Sequence, residues 1–294
     1  MNYSILALII TNVIWGAAIP IFKYSLVNVP PFIFLFIRSF GAALIFLPAT
    51  FLVHQRLSIK DFVNIFIASL TGIAIPIALL FLGLQRAPSL NFALIVTTSP
   101  LLIYFSAVLL LKERPHNKIL AGGMAAFIGA LFVILAPILT TGKFQAGEFT
   151  GNILFLFASI SNVISILFIK KTLKKINIFE LMFFMFALTA IVLIPLIYVE
   201  FQTWSFDKLT AQGLVGLIYG TIFSSAVAYF LQHYALLRIN AQEVGIFSYL
   251  QPIVAILVAI PLLHEYPSVH YYVGSILVII GVFIAEFHIR KRKK

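Results

Sequence analysis

Long stretches without a formally charged side chain recur along the whole chain. A membrane-spanning helix needs about 20 predominantly apolar residues to cross a hydrocarbon core of about 30 Å. The stretch 32–53 has this length and is interrupted only by Arg38. The other runs lack Asp, Glu, Lys and Arg altogether and are 1–22, 62–85, 87–111, 119–142, 149–169, 181–199, 209–237, 244–264 and 266–285. The pattern predicts ten transmembrane helices, numbered helix 1 to helix 10 in chain order.

The composition favours the same class of protein. Of the 294 residues, 62% are hydrophobic and 10% are charged, whereas an average soluble domain is about 45–50% apolar and about 25% charged. A water-soluble fold could not cover its surface with so few charges. The absence of cysteine excludes disulfides and thiolate metal sites. We expect an all-α integral membrane protein, with the lipid bilayer as its surroundings.

The twenty Lys and Arg residues are distributed unevenly among the predicted loops. Fifteen lie in the termini and the even-numbered loops, four lie in the odd-numbered loops, and Arg38 lies within a helix. Because cytoplasmic loops are enriched in Lys and Arg, both termini are predicted to be cytoplasmic in a multi-pass protein of the cell (inner) membrane. The net charge of +11 therefore does not indicate a nucleic-acid partner. The basic tail 290–294 is interpreted as an anchor on anionic lipid.

The two halves of the sequence are similar to each other. A shift of 152 positions superimposes Arg86 on Arg238, Pro100 on Pro252, and Glu113 on Glu265. Upstream, a shift of 147 superimposes Lys23 on Lys170. The predicted repeats are residues 1–140 and 149–289, and the tail follows them. Because each repeat holds five helices, an odd number, the second repeat is expected to insert upside down.

The loop charges support this inversion independently. The loop 112–118 contains three basic residues, and its counterpart 264–270 contains neither Lys nor Arg. Conversely, the first loop contains only Lys23, and its counterpart 170–177 contains four lysines. Inverted repeats are typical of secondary transporters, whose site lies near the bilayer midplane between the repeats.

The chain resembles EamA-type members of the drug/metabolite transporter superfamily along its whole length. The resemblance rests on Trp15-Gly16, on Arg38 and on the run Ala235-Leu-Leu-Arg238. It also rests on a pattern that occurs twice, a proline within a helix followed thirteen residues later by a glutamate. The resemblance implies ten helices, export or exchange of small metabolites, and a central cavity lined mainly by helices 1, 3, 4, 6, 8 and 9.

Arg38 is the one formal charge well inside a predicted span. Such a charge costs at least about 2.5–3.5 kcal/mol on insertion scales, so a partner or a wet cavity is expected. One interpretation is that Arg38 binds an anionic group of a substrate. The other is a structural or gating role, in which the side chain hydrogen-bonds its neighbours or extends to the outer surface. The second half has Met185 at the corresponding position.

Helices 4 and 9 are a repeat-related pair that prolines interrupt. Pro100 and Pro252 remove a backbone donor and leave the carbonyl groups of Val96 and Ser248 without their helical partner. Such carbonyl groups are tolerated at depth only when protein, water or ligand satisfies them. The hydroxyl and amide groups beside the prolines that we assign to a substrate cavity are those of Thr98, Ser99, Tyr249 and Gln251.

Four residues on flanking helices complete the predicted site. Trp15 lies on helix 1, and Asn162, which stands at the corresponding position of the second half, lies on helix 6. Tyr229 and His233 are four residues apart on helix 8 and therefore share a face. His233 could exchange protons near neutral pH or be a neutral residue of the core.

These features favour a secondary transporter that exports small polar or amphipathic metabolites such as amino acids. A carrier of phosphorylated, nucleotide-sugar or lipid-linked substrates is the alternative, because Arg38 could receive a phosphate. A membrane enzyme acting on lipids and a channel are weaker alternatives. The sequence contains no metal-binding, Walker or nucleophile motif. We therefore expect no catalytic activity, cofactor or metal, and no obligatory protein partner.

The first prediction concerns the orientation of the chain. Reporter fusions at Lys143 and Lys208 should report the outside, because basic loops stay in the cytoplasm. The fusions that should report the cytoplasm are those after Arg56, Lys118, Lys175 and Lys294. Paired alkaline phosphatase and fluorescent protein fusions measure this. An external C-terminus would contradict both the count of ten helices and the inverted repeat.

Overall fold

A computed structural model describes residues 3–53, 57–110, 115, 117–141, 146–173 and 175–291. Within these ranges all regular secondary structure is helical. The long apolar runs form these helices because, in hydrocarbon, a helix satisfies its backbone hydrogen bonds internally. The predicted class of the fold, an all-α membrane protein, is confirmed.

The described helices join end to end into ten rods, which we number α1 to α10. The first five rods are α1 (Tyr3–Ser25), α2 (Pro31–Val53), α3 (Ile59–Leu84), α4 (89–110) and α5 (Asn117–Thr141). The second five are α6 (Ala146–Thr172), α7 (Ile178–Glu200), α8 (Ala211–Leu236), α9 (241–263) and α10 (Val269–Lys291). Among the described residues, eight rods are long and apolar enough to cross a membrane, whereas α5 and α10 contribute shorter apolar stretches. Ten crossings and the location of the termini stay predictions.

Four rods depart locally from α-helical geometry, at positions that correspond between the halves. In α3, residues Leu70–Ala74 are π-helical, and in α8 the π-helical segment is Tyr219–Val227. In α4, a 3₁₀ turn covers Val96–Thr98, and in α9 it covers Phe247–Leu250. A shift of 152 residues brings each first-half segment onto its second-half counterpart. The 3₁₀ turns directly precede the helical turns that contain Pro100 and Pro252, where a backbone donor is missing.

The contacts between rods also correspond between the halves. Rod α1 packs against α8 and α9, and its counterpart α6 packs against α3 and α4. Rod α2 packs mainly against α7, and α5 packs mainly against α10. Rods α4 and α9 contact each other, the first part of each lying against the second part of the other. This arrangement leaves α1, α3, α4, α6, α8 and α9 at the centre, with apolar side chains such as Leu257 exposed on the outside.

Rods α1 and α9 approach closely at Gly16. A Cβ atom at this position would lie 2.9 Å from the carbonyl oxygen of Gln251 and 2.9 Å from Cβ of Val254. Real Cβ atoms do not approach backbone so closely, so the glycine permits the contact between the two rods. A Cβ atom added to Gly147, at the start of α6, would have no neighbouring atom within 4 Å.

We predict that Gly16→Val destabilises the protein, because overpacking of a close helix contact costs about 1–3 kcal/mol. Gly147→Val makes the same chemical change without a clash and should alter the stability by less than about 0.5 kcal/mol. The thermal unfolding midpoint of the two purified variants in detergent checks this. Equal midpoints would contradict the close packing of α1 on α9.

Candidate functional site

A cavity of about 120 Å³ lies between the central rods. Its volume holds several water molecules, since one needs roughly 10–15 Å³ by this measure. Rod α2 contributes Arg38 to the wall, in addition to the rods α1, α3, α4, α6, α8 and α9 that the family resemblance implies. The polar residues of the wall are Asn12, Trp15, Arg38, Ser99, Ser159, Asn162, Ser224, Tyr229, Gln232, Ser248 and Gln251. Both halves of the chain therefore build one cavity.

Arg38 is buried, with 1% of its surface exposed, and its guanidinium group is held by the π-helical segment of α8. Its Nε donates to Oγ of Ser225 at 2.9 Å, and its Nη2 donates to Oγ of Ser224 at 3.2 Å. The guanidinium carbon lies 4.9 Å from the centre of the Phe22 ring. The structure therefore brings Arg38 to the cavity wall and surrounds it with neutral groups.

Trp15 and Tyr229 form an aromatic pair in the cavity wall. Their ring centres are 5.2 Å apart and the rings are nearly perpendicular, at 73°. Trp15 Nε1 donates to the carbonyl oxygen of Ser224 at 3.1 Å, and the Tyr229 hydroxyl donates to that of Gly72 at 2.9 Å. Gly72 and Ser224 correspond in the repeat and lie in the two π-helical segments. The pair thus links both segments.

Neutral amide and hydroxyl groups line the part of the wall that α1 and α9 build. Gln251 Nε2 donates to Oδ1 of Asn12 at 2.9 Å, and Asn12 Nδ2 donates to the carbonyl oxygen of Leu8 at 2.8 Å. The hydroxyl of Ser248 is buried and has no hydrogen-bond partner among the described residues. Ser99, on α4, also faces this space. These groups can bind a polar ligand without adding a formal charge.

Three of the nine predicted site residues do not line the cavity. Thr98 and Tyr249 are buried beside it, because each points to a different side of its helix from Ser99 and Gln251. His233 is also buried; its Nδ1 lies 2.5 Å from the carbonyl oxygen of Tyr229, one turn earlier on the same helix. The six that do line it are Trp15, Arg38, Ser99, Asn162, Tyr229 and Gln251.

An ion pair lies next to one end of the cavity. Lys23 Nζ is 2.6 Å from Oε1 of Glu265 and donates to the carbonyl oxygen of Ala87 at 2.8 Å. The other carboxylate oxygen accepts from the backbone and the hydroxyl of Ser89, at 2.8 and 2.6 Å. These bonds connect the end of α1, the start of α4 and the loop after α9. Phe22, which precedes Lys23, lines the adjacent cavity.

Comparison with known proteins identifies the family of the chain. The EamA-like transporter family matches residues 2–135 and again residues 149–287. The chain belongs to the EamA-like transporter family. It is therefore a multi-pass membrane transporter of the drug/metabolite transporter superfamily.

Relatives of this EamA-like transporter match over nearly its whole length. An uncharacterized transporter of Archaeoglobus fulgidus is 24% identical over 283 residues, which cover 95% of this chain and 96% of the relative. The uncharacterized transporter YoaV of Bacillus subtilis is 24% identical over 292 residues and 98% of both chains. A crystal structure has the same fold, with a TM-score of 0.72, 16% identity and 98% coverage of both chains.

The structure adds residues to the cavity of this EamA-like transporter that the sequence analysis did not assign to it. Gln232 lies three residues after Tyr229 on α8, and this spacing could have identified it. Ser224 lies four residues after Gly220. Two small residues at this spacing are typical of helix packing, so the spacing did not identify a cavity residue. Apolar wall residues such as Phe22 and Phe92 cannot be recognised from the sequence, because apolar side chains face both the lipid and the cavity.

The chain has no native cysteine, so single cysteines can test the cavity. We predict that Ser99→Cys and Gln251→Cys react with a small hydrophilic thiol reagent, because both side chains line the cavity. Thr98→Cys should react at least about tenfold more slowly, as should Leu257→Cys, whose position is 69% exposed on the apolar outer surface. Mass spectrometry of the labelled protein measures the rates. Equal rates at positions 98 and 99 would contradict the assigned wall.

Proposed function

We propose that this EamA-like transporter is a secondary transporter that exports small polar or amphipathic metabolites, such as amino acids, by alternating access. The observation that carries the proposal is the cavity between the central rods, whose polar wall comes from both halves of the chain. A polar solute that crosses about 30 Å of hydrocarbon needs substitute hydrogen bonds along its path. Asn12, Ser248 and Gln251 offer such bonds without a permanent charge.

The correspondence between the halves supports alternating access. In inverted-repeat transporters, one repeat moves against the other around a central site. The π-helical segments of α3 and α8 and the 3₁₀ turns of α4 and α9 are points where a helix can change its hydrogen-bond register. The ion pair of Lys23 with Glu265 joins rods from both halves next to one end of the cavity. We infer that it closes the external side.

The chain lacks a Walker motif, so we infer that a gradient or exchange drives transport. The substrate is a small molecule, and the bilayer is the surroundings in which the carrier works. Export rather than uptake is tested by the loss of labelled leucine from preloaded cells that express the protein, relative to cells that do not.

Counterflow in proteoliposomes tests the carrier itself. Vesicles loaded with the common amino acids should take up external labelled leucine transiently and saturably, whereas a channel would give a flux without saturation. Arg38→Leu should lower the initial rate at least about tenfold, because a buried, cavity-lining charge is lost, and Arg38→Lys should lie between. Lys208→Leu, which removes an exposed loop charge, is the matched control. Normal counterflow by a well-expressed Arg38→Leu protein would contradict an essential role of Arg38, whereas a wild-type flux that does not saturate would contradict the carrier.

A further inference from the structure

Arg38 is a formally charged group in the cavity wall. Of the described residues that line it, only Arg38 is ionised at neutral pH; the others are apolar or carry neutral hydroxyl, amide and indole groups. Its hydrogen-bond partners Ser224 and Ser225 are neutral as well. Within the described part of the chain, no Asp or Glu forms an ion pair with Arg38. A buried cation without a counter-ion attracts an anion strongly, because little solvent screens it.

The guanidinium group of Arg38 has hydrogen-bond donors that its two serine partners do not use. It carries five N–H groups in a fixed fork, and the serine hydroxyls of α8 accept from two of its nitrogen atoms, Nε and Nη2. Nη1 has no acceptor among the described residues. A carboxylate bound by such a fork accepts two parallel, charge-assisted hydrogen bonds. The two serines hold Arg38 in place and leave one edge for this contact.

The surroundings of Arg38 indicate what the rest of the ligand is like. The Phe22 ring lies against the guanidinium group, and the Trp15–Tyr229 pair lies beside the serines that hold it. These rings present apolar surface next to the charge. Farther along the wall, Ser248 and Gln251 are neutral hydrogen-bonding groups.

We propose that the cavity selects substrates with one carboxylate on a small apolar body, and that Arg38 binds this carboxylate while Ser224 and Ser225 orient the guanidinium group. The proposal rests on the proposed function and specifies its substrate class. A phosphate monoester carries a charge of about −1.5 to −2 at neutral pH, and Arg38 is the only cation among the described residues that line the cavity. Lys23 directly follows the wall residue Phe22, but its ammonium group is already paired with Glu265. Phosphorylated and nucleotide-linked substrates therefore fit less well.

Four compounds with one branched carbon skeleton test this class on the wild-type protein. Isocaproate and leucine carry the carboxylate, isoamylamine carries only the amine, and isoamyl phosphate carries the phosphate. Ligand binding raises the unfolding temperature by mass action. Isocaproate and leucine should raise it at millimolar concentration, isoamylamine should not, and isoamyl phosphate should bind at least about tenfold more weakly than isocaproate.

Arg38→Gln should weaken the binding of isocaproate about 10- to 100-fold, the loss expected when a charge-assisted pair is removed. The comparison of the four compounds needs no variant, so it decides the matter even if Arg38→Gln does not fold. Isoamylamine that binds as well as isocaproate would overturn the proposal, as would the absence of any shift with isocaproate. If either result accompanies saturable leucine counterflow, the carrier function stands and only the carboxylate assignment fails.

Discussion

The polar groups inside this protein depend on one constraint: hydrocarbon supplies no hydrogen bonds, so other helices must supply them. Arg38 meets this constraint through two serine hydroxyls of α8, and Trp15 and Tyr229 meet it through the carbonyl groups of Ser224 and Gly72. These bonds connect α1, α2, α3 and α8 across the boundary between the halves. The cavity exists where such bonds hold the helices together while some polar groups still face open space.

Local departures from α-helical geometry make these bonds available. A regular α-helix uses each backbone carbonyl internally, whereas a π-helical segment or a proline leaves some of them for other partners. Gly72 lies four residues before Pro76, so its carbonyl oxygen lacks the usual donor and accepts from Tyr229 instead. Because the π-helical segments correspond between the halves, both halves have a point at which the backbone can change register. We regard these points as the structural basis for a carrier with two alternating states.

The sequence predicted the class of the fold well, because apolar runs long enough to cross a membrane leave few alternatives to helices. The repeat, the proline pair and Arg38 were also visible as patterns of residue types. The orientation of individual side chains was not: Thr98 and Ser99 are neighbours in the chain, yet only Ser99 faces the cavity. The π-helical segment of α8 contains no proline, so its composition does not predict it. His233 could not be assigned either, because its bond to the Tyr229 carbonyl depends on a rotamer rather than on spacing.

We propose that the cavity between the two halves is the path of the substrate. Filling it tests this most directly: a single cysteine at Ser99 is modified with disulfide-forming reagents of increasing size, and leucine counterflow is measured before and after reduction. We expect counterflow to fall as the attached group grows and to return when the group is removed. The same modification of a single cysteine that replaces Lys208, on an exposed loop, should leave counterflow unchanged. Full counterflow with the largest group attached at position 99 would show that the substrate does not pass through this cavity.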